Sequence, residues 1–169
     1  MNKLAVFTIA GEEFGIELDR VVEIVRPQKT TFLPNVPDFI EGVINLRGTV
    51  ITVMDLRKRL NVKPSSSREK IIVASMHEEK IGLLVDTVKE IISIEDDQIS
   101  PPPSVFKGLK AEYFRGIGKV EDKLIVILDL DSLLSSEEMI SLEERKVELS
   151  TDELSRESFS DQKEEDKID

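Results

Sequence analysis

The chain has 169 residues, a mass of 19.1 kDa, a net charge of −11, no cysteine, no tryptophan and one histidine, His77. This composition excludes disulfide frameworks, thiolate zinc sites and cysteine nucleophiles. The length suits one compact domain or two small ones. No apolar run approaches the roughly 18 residues of a membrane-spanning helix, and Glu12 and Glu13 interrupt the N-terminal apolar run too early for a signal peptide. We therefore expect a soluble, cytoplasmic protein.

The negative charge is concentrated at the C-terminal end. From Glu137 onward the chain carries 13 acidic and 5 basic residues, a net of −8, whereas residues 1–136 carry a net of −3. The body has no basic stripe, so we expect no nucleic-acid binding. Its tightest basic cluster, Arg57-Lys58-Arg59, is interpreted as the solvated face of a short helix.

The first half of the chain predicts two β-hairpins. Apolar residues at 4–9 and alternating residues at 14–18 flank a glycine-containing turn. Asp19 is predicted to cap one helical turn carrying Val21 and Val22, ahead of a strand at 23–25. The second hairpin pairs 43–46 with 50–54 around Arg47-Gly48. Asp55 is then predicted to begin a short helix at 56–60, with its basic residues outward.

The second half repeats this order. Strands are predicted at 71–75, 81–85, 91–94, 116–120 and 124–128, and a helical run from Asp129. The sequence from Ser135 to Glu138 has the character of a helix cap and predicts a C-terminal helix. Residues beyond 150 are polar and charged, and we expect them to be mobile.

Alignment of the chain with itself supports an internal repeat. At an offset of 67, five of the ten residues 15–24 are identical to those at 82–91, and at an offset of 74 residues 50–60 match 124–134. Two β units of about 65 residues are each marginal alone, and short strands curl into barrels to remove exposed edges. We therefore predict two pseudo-symmetric barrels with an apolar seam and a groove between them. The alternative interpretation is that strand–turn–strand sequences simply look alike.

The candidate catalytic and metal-binding residues favour structural roles. Asp55 and Asp129 could form a carboxylate pair, but both stand where a helix begins, which favours capping. Three adjacent carboxylates at 95–97 cannot all point inward, so a solvated turn is preferred to a cation site. His77 lies in a polar turn with no evident partner and is interpreted as a surface histidine. The alternative function, a small carboxylate-dependent hydrolase on a β-barrel scaffold, would need a pocket that gathers two carboxylates of perturbed pKa.

The segment 41–48, EGVINLRG, is the most distinctive part of the sequence. A glycine-flanked strand that ends in Arg47 would present a fixed guanidinium beside an apolar surface. The alternative is that Arg47-Gly48 is only a turn. The residues alone leave both interpretations open.

Three long segments carry a family resemblance. They read FIEGVINLRGTVITVMDLRKRL, IGLLVDTVKEIISIEDDQISPPP and EYFRGIGKVEDKLIVILDLDSLLSSEEM. In this order they resemble the CheW-like domain family, the coupling proteins of bacterial chemotaxis. The resemblance extends from about Lys3 to Leu142, nearly the whole foldable body.

The resemblance implies an all-β fold with short helices, in which two five-stranded SH3-like barrels pack together and a C-terminal helix follows. It implies a CheW-like domain at 1–142. Residues 143–169 have no clear counterpart in the family pattern, and their acidic, polar composition predicts a flexible tail. The same domain also occurs fused to a receiver, and the lack of a receiver sequence here favours a free-standing protein.

The function implied is that of a scaffold with no catalysis, cofactor or metal. Family members couple the cytoplasmic tips of chemoreceptors to the regulatory domain of the histidine kinase CheA, so that receptors control the kinase. Such a protein is recruited to membrane receptor arrays without inserting into the membrane. The alternative is a CheW-like adaptor of another receptor–kinase pathway, such as surface motility.

The resemblance also implies a docking site along the groove between the barrels. The matching positions are Val21, Glu23, Ile24, Gly42, Asn45, Leu46 and Arg47. Val21 and Ile24 would offer apolar area to a receptor helix, Gly42 would allow close approach of backbones, and Glu23 and Arg47 would orient the partner by charge-assisted bonds. The kinase would meet another face, with the exposed members of Leu83 to Ile94 as candidates.

Overall fold

The structure, a computed structural model, describes residues 2–63, 69–106 and 108–152. Short 3-10 turns at Leu18–Arg20, Asp96–Gln98 and Ala111–Tyr113 join some of the elements. In these ranges the strands are β1 Asn2–Ile9, β2 Glu12–Glu17, β3 Val21–Val25, β4 Ile40–Leu46, β5 Thr49–Asp55, β6 Lys70–Met76, β7 Glu79–Val85, β8 Thr87–Ile94, β9 Ile99–Ser100, β10 Val105–Phe106, β11 Leu109–Lys110, β12 Phe114–Val120 and β13 Lys123–Leu128, and the helices are α1 Leu56–Arg59, α2 Leu130–Leu133 and α3 Ser136–Asp152.

The strands form two main sheets with the same internal order. The first sheet runs β3-β6-β7-β5-β4, and the second runs β8-β1-β2-β13-β12 with the two-residue β9 at its end. Each has one parallel pair at the equivalent place, β5 with β7 and β13 with β2. The predicted fold class of two pseudo-symmetric barrels is thereby confirmed, and we call the two units the first and the second barrel.

The two halves of the chain exchange their first hairpins. By the sequence repeat, β2 corresponds to β7, β3 to β8, and β4–β5 to β12–β13. Yet β1–β2 lies in the second barrel and β6–β7 in the first. The sequence could not assign the hairpins to a barrel, because β1–β2 and β6–β7 both carry apolar residues on both faces.

The exchanged hairpins are buried on both faces. One face of β6, with Ile71 and Val73, packs into the interior of the first barrel beside Ile51. The other face belongs to a larger cluster shared with the second barrel, where Phe7 and Phe14 stack at a centroid distance of 6.0 Å. The predicted apolar seam is therefore a packed core here, shared by both barrels and closed by α2 and α3.

A buried ionic cluster joins α1 to both barrels. Asp55 Oδ1 accepts the backbone N–H of Arg57, which confirms its predicted role as helix cap. The Arg57 guanidinium is only 7% exposed and binds Asp55 at 3.0 Å, Glu69 at 3.1 Å and Asp86 at 3.3 Å. Asp86 Oδ2 accepts the N–H of Ala10, in the β1–β2 turn, at 2.7 Å. The hydrogen bond to Asp55 raises the pKa of Arg57, so the charged form is favoured in spite of burial.

Arg59 makes a second anchor from α1. Its Nε donates to the carbonyl oxygen of Leu133 at 2.6 Å, and its guanidinium carbon lies 4.4 Å from the centroid of the Phe39 ring. The prediction that the α1 basic residues point outward is therefore wrong for Arg57 and Arg59, and Lys58 alone among the three is exposed. Arg57 and Arg59 instead find partners inside the molecule, the buried carboxylates for Arg57 and the Leu133 carbonyl and Phe39 ring for Arg59.

The turn before β3 also differs from the prediction. Asp19 lies within the 3-10 turn Leu18–Arg20 and makes no cap, while Val21 and Val22 are already part of β3. Arg20 holds this turn against neighbouring elements, since it donates to the carbonyl oxygen of Ser75 at 2.9 Å and to Asp131 at 2.6 Å. Val21 already pairs with Ala74 of β6, so the backbone is extended directly after this turn.

The C-terminal helix begins as predicted. Ser135 Oγ accepts the N–H of Glu138 at 3.0 Å, and Glu138 Oε1 accepts the N–H of Ser135 at 2.9 Å, which is a capping box. The helix extends to Asp152, ten residues beyond the domain boundary expected at 142. Residues 153–169 lie outside the described part of the chain, and their flexibility stays a prediction.

Removing the buried cation tests the ionic cluster. We expect Arg57→Ala to lower the free energy of unfolding by about 3–5 kcal/mol, because it leaves Asp55 and Asp86 buried without a counter-charge. The adjacent exposed change Lys58→Ala should cost about 0.5 kcal/mol or less. Urea denaturation of both variants measures the difference, and equal losses would contradict the role assigned to Arg57.

Asp131 makes stability depend on pH. The hydrogen bond from Arg20 holds the pKa of Asp131 below its ordinary value, against the opposing effect of partial burial. A lowered folded-state pKa stabilises the fold above the unfolded pKa of about 3.9, and this stabilisation disappears as the pH falls through the folded value. We expect wild type to be more stable than Asp131→Asn at pH 7 and the gap to close in strong acid. A gap that stays constant across urea titrations from pH 7 to pH 2 would refute this.

Candidate docking surface on the first barrel

The seven residues of the predicted site all lie on β3, on β4 or in the turn after β4. These are the two edge strands of the first sheet. The β4–β5 turn carries Arg47 and Gly48 at positive φ, and Asn45 Oδ1 accepts the N–H of Gly48 at 2.9 Å. The Asn45 side chain therefore fixes the conformation of the turn from which Arg47 projects.

Glu23 and Arg47 are brought together across the barrel edge. The Arg47 guanidinium donates to the Glu23 carboxylate, and the Arg47 side chain is 69% exposed. This hydrogen bond raises the pKa of Arg47. Because an exposed pair of this kind adds little to stability, its main consequence is a charged pair held in one orientation at the surface.

Exposed apolar side chains lie on the face of β3 opposite to Glu23. Ile24 and Val22 are exposed large hydrophobic residues that share one face of β3, as the two-residue period of a strand requires. Val21 is half-buried against the shared core. Phe32 is also exposed, in the loop before β4. The sequence reasoning missed Val22 and Phe32 as surface residues, although the alternation with Ile24 could have indicated Val22.

Gly42 and Leu46 shape the surface from beneath. Leu46 is buried in the core of the first barrel with Ile44 and Val53. Gly42 is at φ +143, and a Cβ there would lie 2.2 Å from the carbonyl oxygen of Thr31. Neither residue is accessible to a partner. The close backbone approach expected at Gly42 is therefore made within this chain, to the backbone of Thr31.

The second barrel presents a related edge. β8 ends the second sheet, and its Ile91 and Glu90 correspond through the repeat to Ile24 and Glu23. Ile91 is 61% exposed. Leu83, by contrast, is fully buried, and the exposed members of the range Leu83 to Ile94 lie on β8. The repeat position of Arg47 is occupied by Glu121, so the two equivalents of the Glu23–Arg47 ion pair are both acidic.

The described residues contain no group of three or more His, Asp or Glu side chains placed to hold a metal ion. Asp55 and Asp129 each begin a separate short helix. His77 is half-buried rather than freely exposed, with Nε2 2.8 Å from the carbonyl oxygen of Leu134. Among the helices described, none is long and apolar enough to cross a membrane.

Comparison with known proteins agrees with this architecture. The family model of the CheW-like domain matches residues 3–138. Chemotaxis protein CheW of Klebsiella aerogenes is 37% identical over 140 residues, which cover 82% of this chain and 84% of that protein. Chemotaxis protein CheW of Bacillus subtilis is 34% identical over 138 residues, covering 80% and 88%. The crystal structure of scaffolding protein TtCheW from Thermoanaerobacter tengcongensis matches with a TM-score of 0.75 at 38% identity, covering 81% of this chain and 90% of that one.

The doubled barrel is therefore the fold of a class of scaffolding proteins, to which the solved TtCheW structure belongs. The family match spans most of the chain, and several relatives exceed 30% identity over more than two thirds of it. The chain belongs to the CheW-like domain family, which confirms the resemblance found in its sequence.

The packing above Gly42 yields a stability prediction. Gly42→Ala should cost about 3 kcal/mol or more, because the new methyl group meets the Thr31 backbone. Gly48→Ala is the matched control, since Gly48 also has positive φ but nothing within 4 Å of its Cβ position. It should cost about 1 kcal/mol through backbone strain alone. Thermal unfolding of both variants measures the two losses of stability and so separates the steric clash from the backbone strain. Similar losses would contradict the clash predicted at Gly42.

Proposed function

We propose that this chain is a non-catalytic chemotaxis scaffold that couples the cytoplasmic tips of chemoreceptors to the regulatory domain of the histidine kinase CheA. Membership of the CheW-like domain family and relatives named chemotaxis protein CheW support this role. The observation that carries it is the edge of the first barrel, where the Glu23–Arg47 ion pair joins β3 to the β4–β5 turn and Ile24 and Val22 are exposed on the other face of β3.

The first-barrel edge has the features that a helical receptor tip requires. An amphipathic helix binds by laying apolar side chains on an apolar strip, which Val22 and Ile24 provide. The guanidinium of Arg47 can accommodate a carboxylate in a bidentate manner, while Glu23 limits its freedom before binding. Apolar area thus supplies affinity, and the charged pair supplies orientation.

The β8 edge of the second barrel suits the second partner. Ile91 offers an exposed apolar contact next to the exposed Glu90, and Glu121 stands in the turn equivalent to that of Arg47. Edges of different charge on one rigid body can select different partners. We assign the β3–β4 edge to the receptor tip and the β8 edge to the kinase domain.

A crossed pair of variants tests this assignment. We expect Arg47→Ala to weaken binding of a receptor-tip fragment by about 1–3 kcal/mol and to leave binding of the CheA regulatory domain unchanged. Ile91→Glu should have the reverse effect. Each variant is the control for the other, and isothermal titration with each partner gives the four affinities. If neither change affects either partner, both docking surfaces are wrong.

A further inference from the structure

A third surface lies between α3 and the turn that joins β6 to β7. It is a mainly apolar groove of about 640 Å³, and the residues that define it are His77, Glu79, Met139, Ile140, Glu144 and Val147. It includes none of the residues on the β3–β4 or β8 edges.

Helix α3 carries two apolar faces. Met139 and Leu142 are buried in the shared core and attach the helix to the barrels. Ile140 and Val147 are 60% and 61% exposed and lie seven residues apart, two turns along one stripe of the helix. An exposed apolar stripe beside a concave groove is a common mark of a protein-binding site.

The walls of the groove are held in place by hydrogen bonds. His77 Nε2 lies 2.8 Å from the carbonyl oxygen of Leu134, and the backbone N–H of His77 donates to Asp131 at 3.0 Å. The capping box at Ser135 fixes the start of α3. A partner would therefore meet a preformed groove and would lose little free energy in ordering it.

The rim of the groove is acidic, which limits what can fill it. Glu79 and Glu144 are exposed, and Glu143 is paired with Lys146 at 2.8 Å. A second copy of the chain would bring the same glutamates against them. Residues 153–169 of this chain carry seven acidic and three basic side chains, so the same repulsion opposes them.

We propose that this groove docks an amphipathic helix of another protein, one whose apolar stripe is flanked by lysine and arginine. Its apolar side chains pack against Ile140 and Val147, and its cations meet Glu79 and Glu144. This is the helix-in-groove mode of recognition. The scaffold then has a third partner site, on the side of the β6–β7 turn.

A pair of designed helical peptides tests the proposal on the full-length protein. Both are fluorescein-labelled, span four turns and carry leucine at heptad spacing, but one has lysine and arginine flanks and its twin has glutamate flanks. Fluorescence anisotropy should show the basic peptide binding about tenfold tighter or more than its twin, and weaker as salt is raised. Amide shifts on basic-peptide binding should fall on α3 and the β6–β7 turn.

Two protein variants locate the site. Ile140→Glu with Val147→Glu should weaken the basic peptide at least about tenfold. Leu124→Glu, a comparable change at an exposed leucine of β13 on the second barrel that belongs to neither docking edge, should have no effect. Circular dichroism confirms that each variant is folded, and a milder pair, Ile140→Ser with Val147→Ser, gives the same ranking without added charge.

Several results would overturn the proposal. Equal affinity for the two peptides would show that the basic flanks play no part in recognition. Unchanged binding after the Ile140 and Val147 substitutions would show that the peptide does not bind in the groove. Groove amides that shift with protein concentration alone identify a second copy as the occupant. Tighter peptide binding after truncation at 152 identifies residues 153–169 as the occupant.

Discussion

The exchange of hairpins between the two halves of the chain is the constraint on which the rest of the structure depends. Because β1–β2 lies in the second barrel and β6–β7 in the first, these hairpins are central in their sheets and buried on both faces. Neither barrel can complete its sheet without the other half. The strands left at the ends of the two main sheets are therefore β3 and β4 in the first and β8 and β9 in the second.

The polar groups at the centre of the molecule reinforce this arrangement. Arg57 binds Asp55 of the first barrel and Asp86 after β7, and Asp86 in turn holds the β1–β2 turn of the second barrel. A buried cation that satisfies two carboxylates tolerates little movement, because any displacement leaves a charge unpaired. The barrels thus keep a fixed relative position, and the three proposed docking surfaces would keep a fixed spacing.

Much of this architecture could be predicted from the sequence, and the errors have clear physical causes. The hairpins were predicted from strand alternation, the glycine turns and the repeat. The start of α3 was predicted from the cap at Ser135. The buried positions of Arg57 and Arg59 were missed because a run of basic residues predicts a solvated surface. Their partners, such as Asp86 and the Phe39 ring, are distant in sequence and come close only in the folded chain. In the site, the pairing of Glu23 with Arg47 joins residues 24 positions apart. The interior position of Leu46, by contrast, follows the alternation of β4, because Leu46 shares the inward face with Ile44.

The reciprocal exchange has a consequence for how such a chain can arise. One repeat alone contains a first hairpin that belongs to the other barrel's sheet. Its remaining strands form a sheet that lacks its own central hairpin. Two identical copies could satisfy each other across a two-fold axis, in the manner of a domain-swapped dimer. Fusing the two copies into one polypeptide would preserve every contact while freeing each edge to diverge, as Arg47 and Glu121 have done at equivalent positions. A symmetric assembly could in this way become an asymmetric connector.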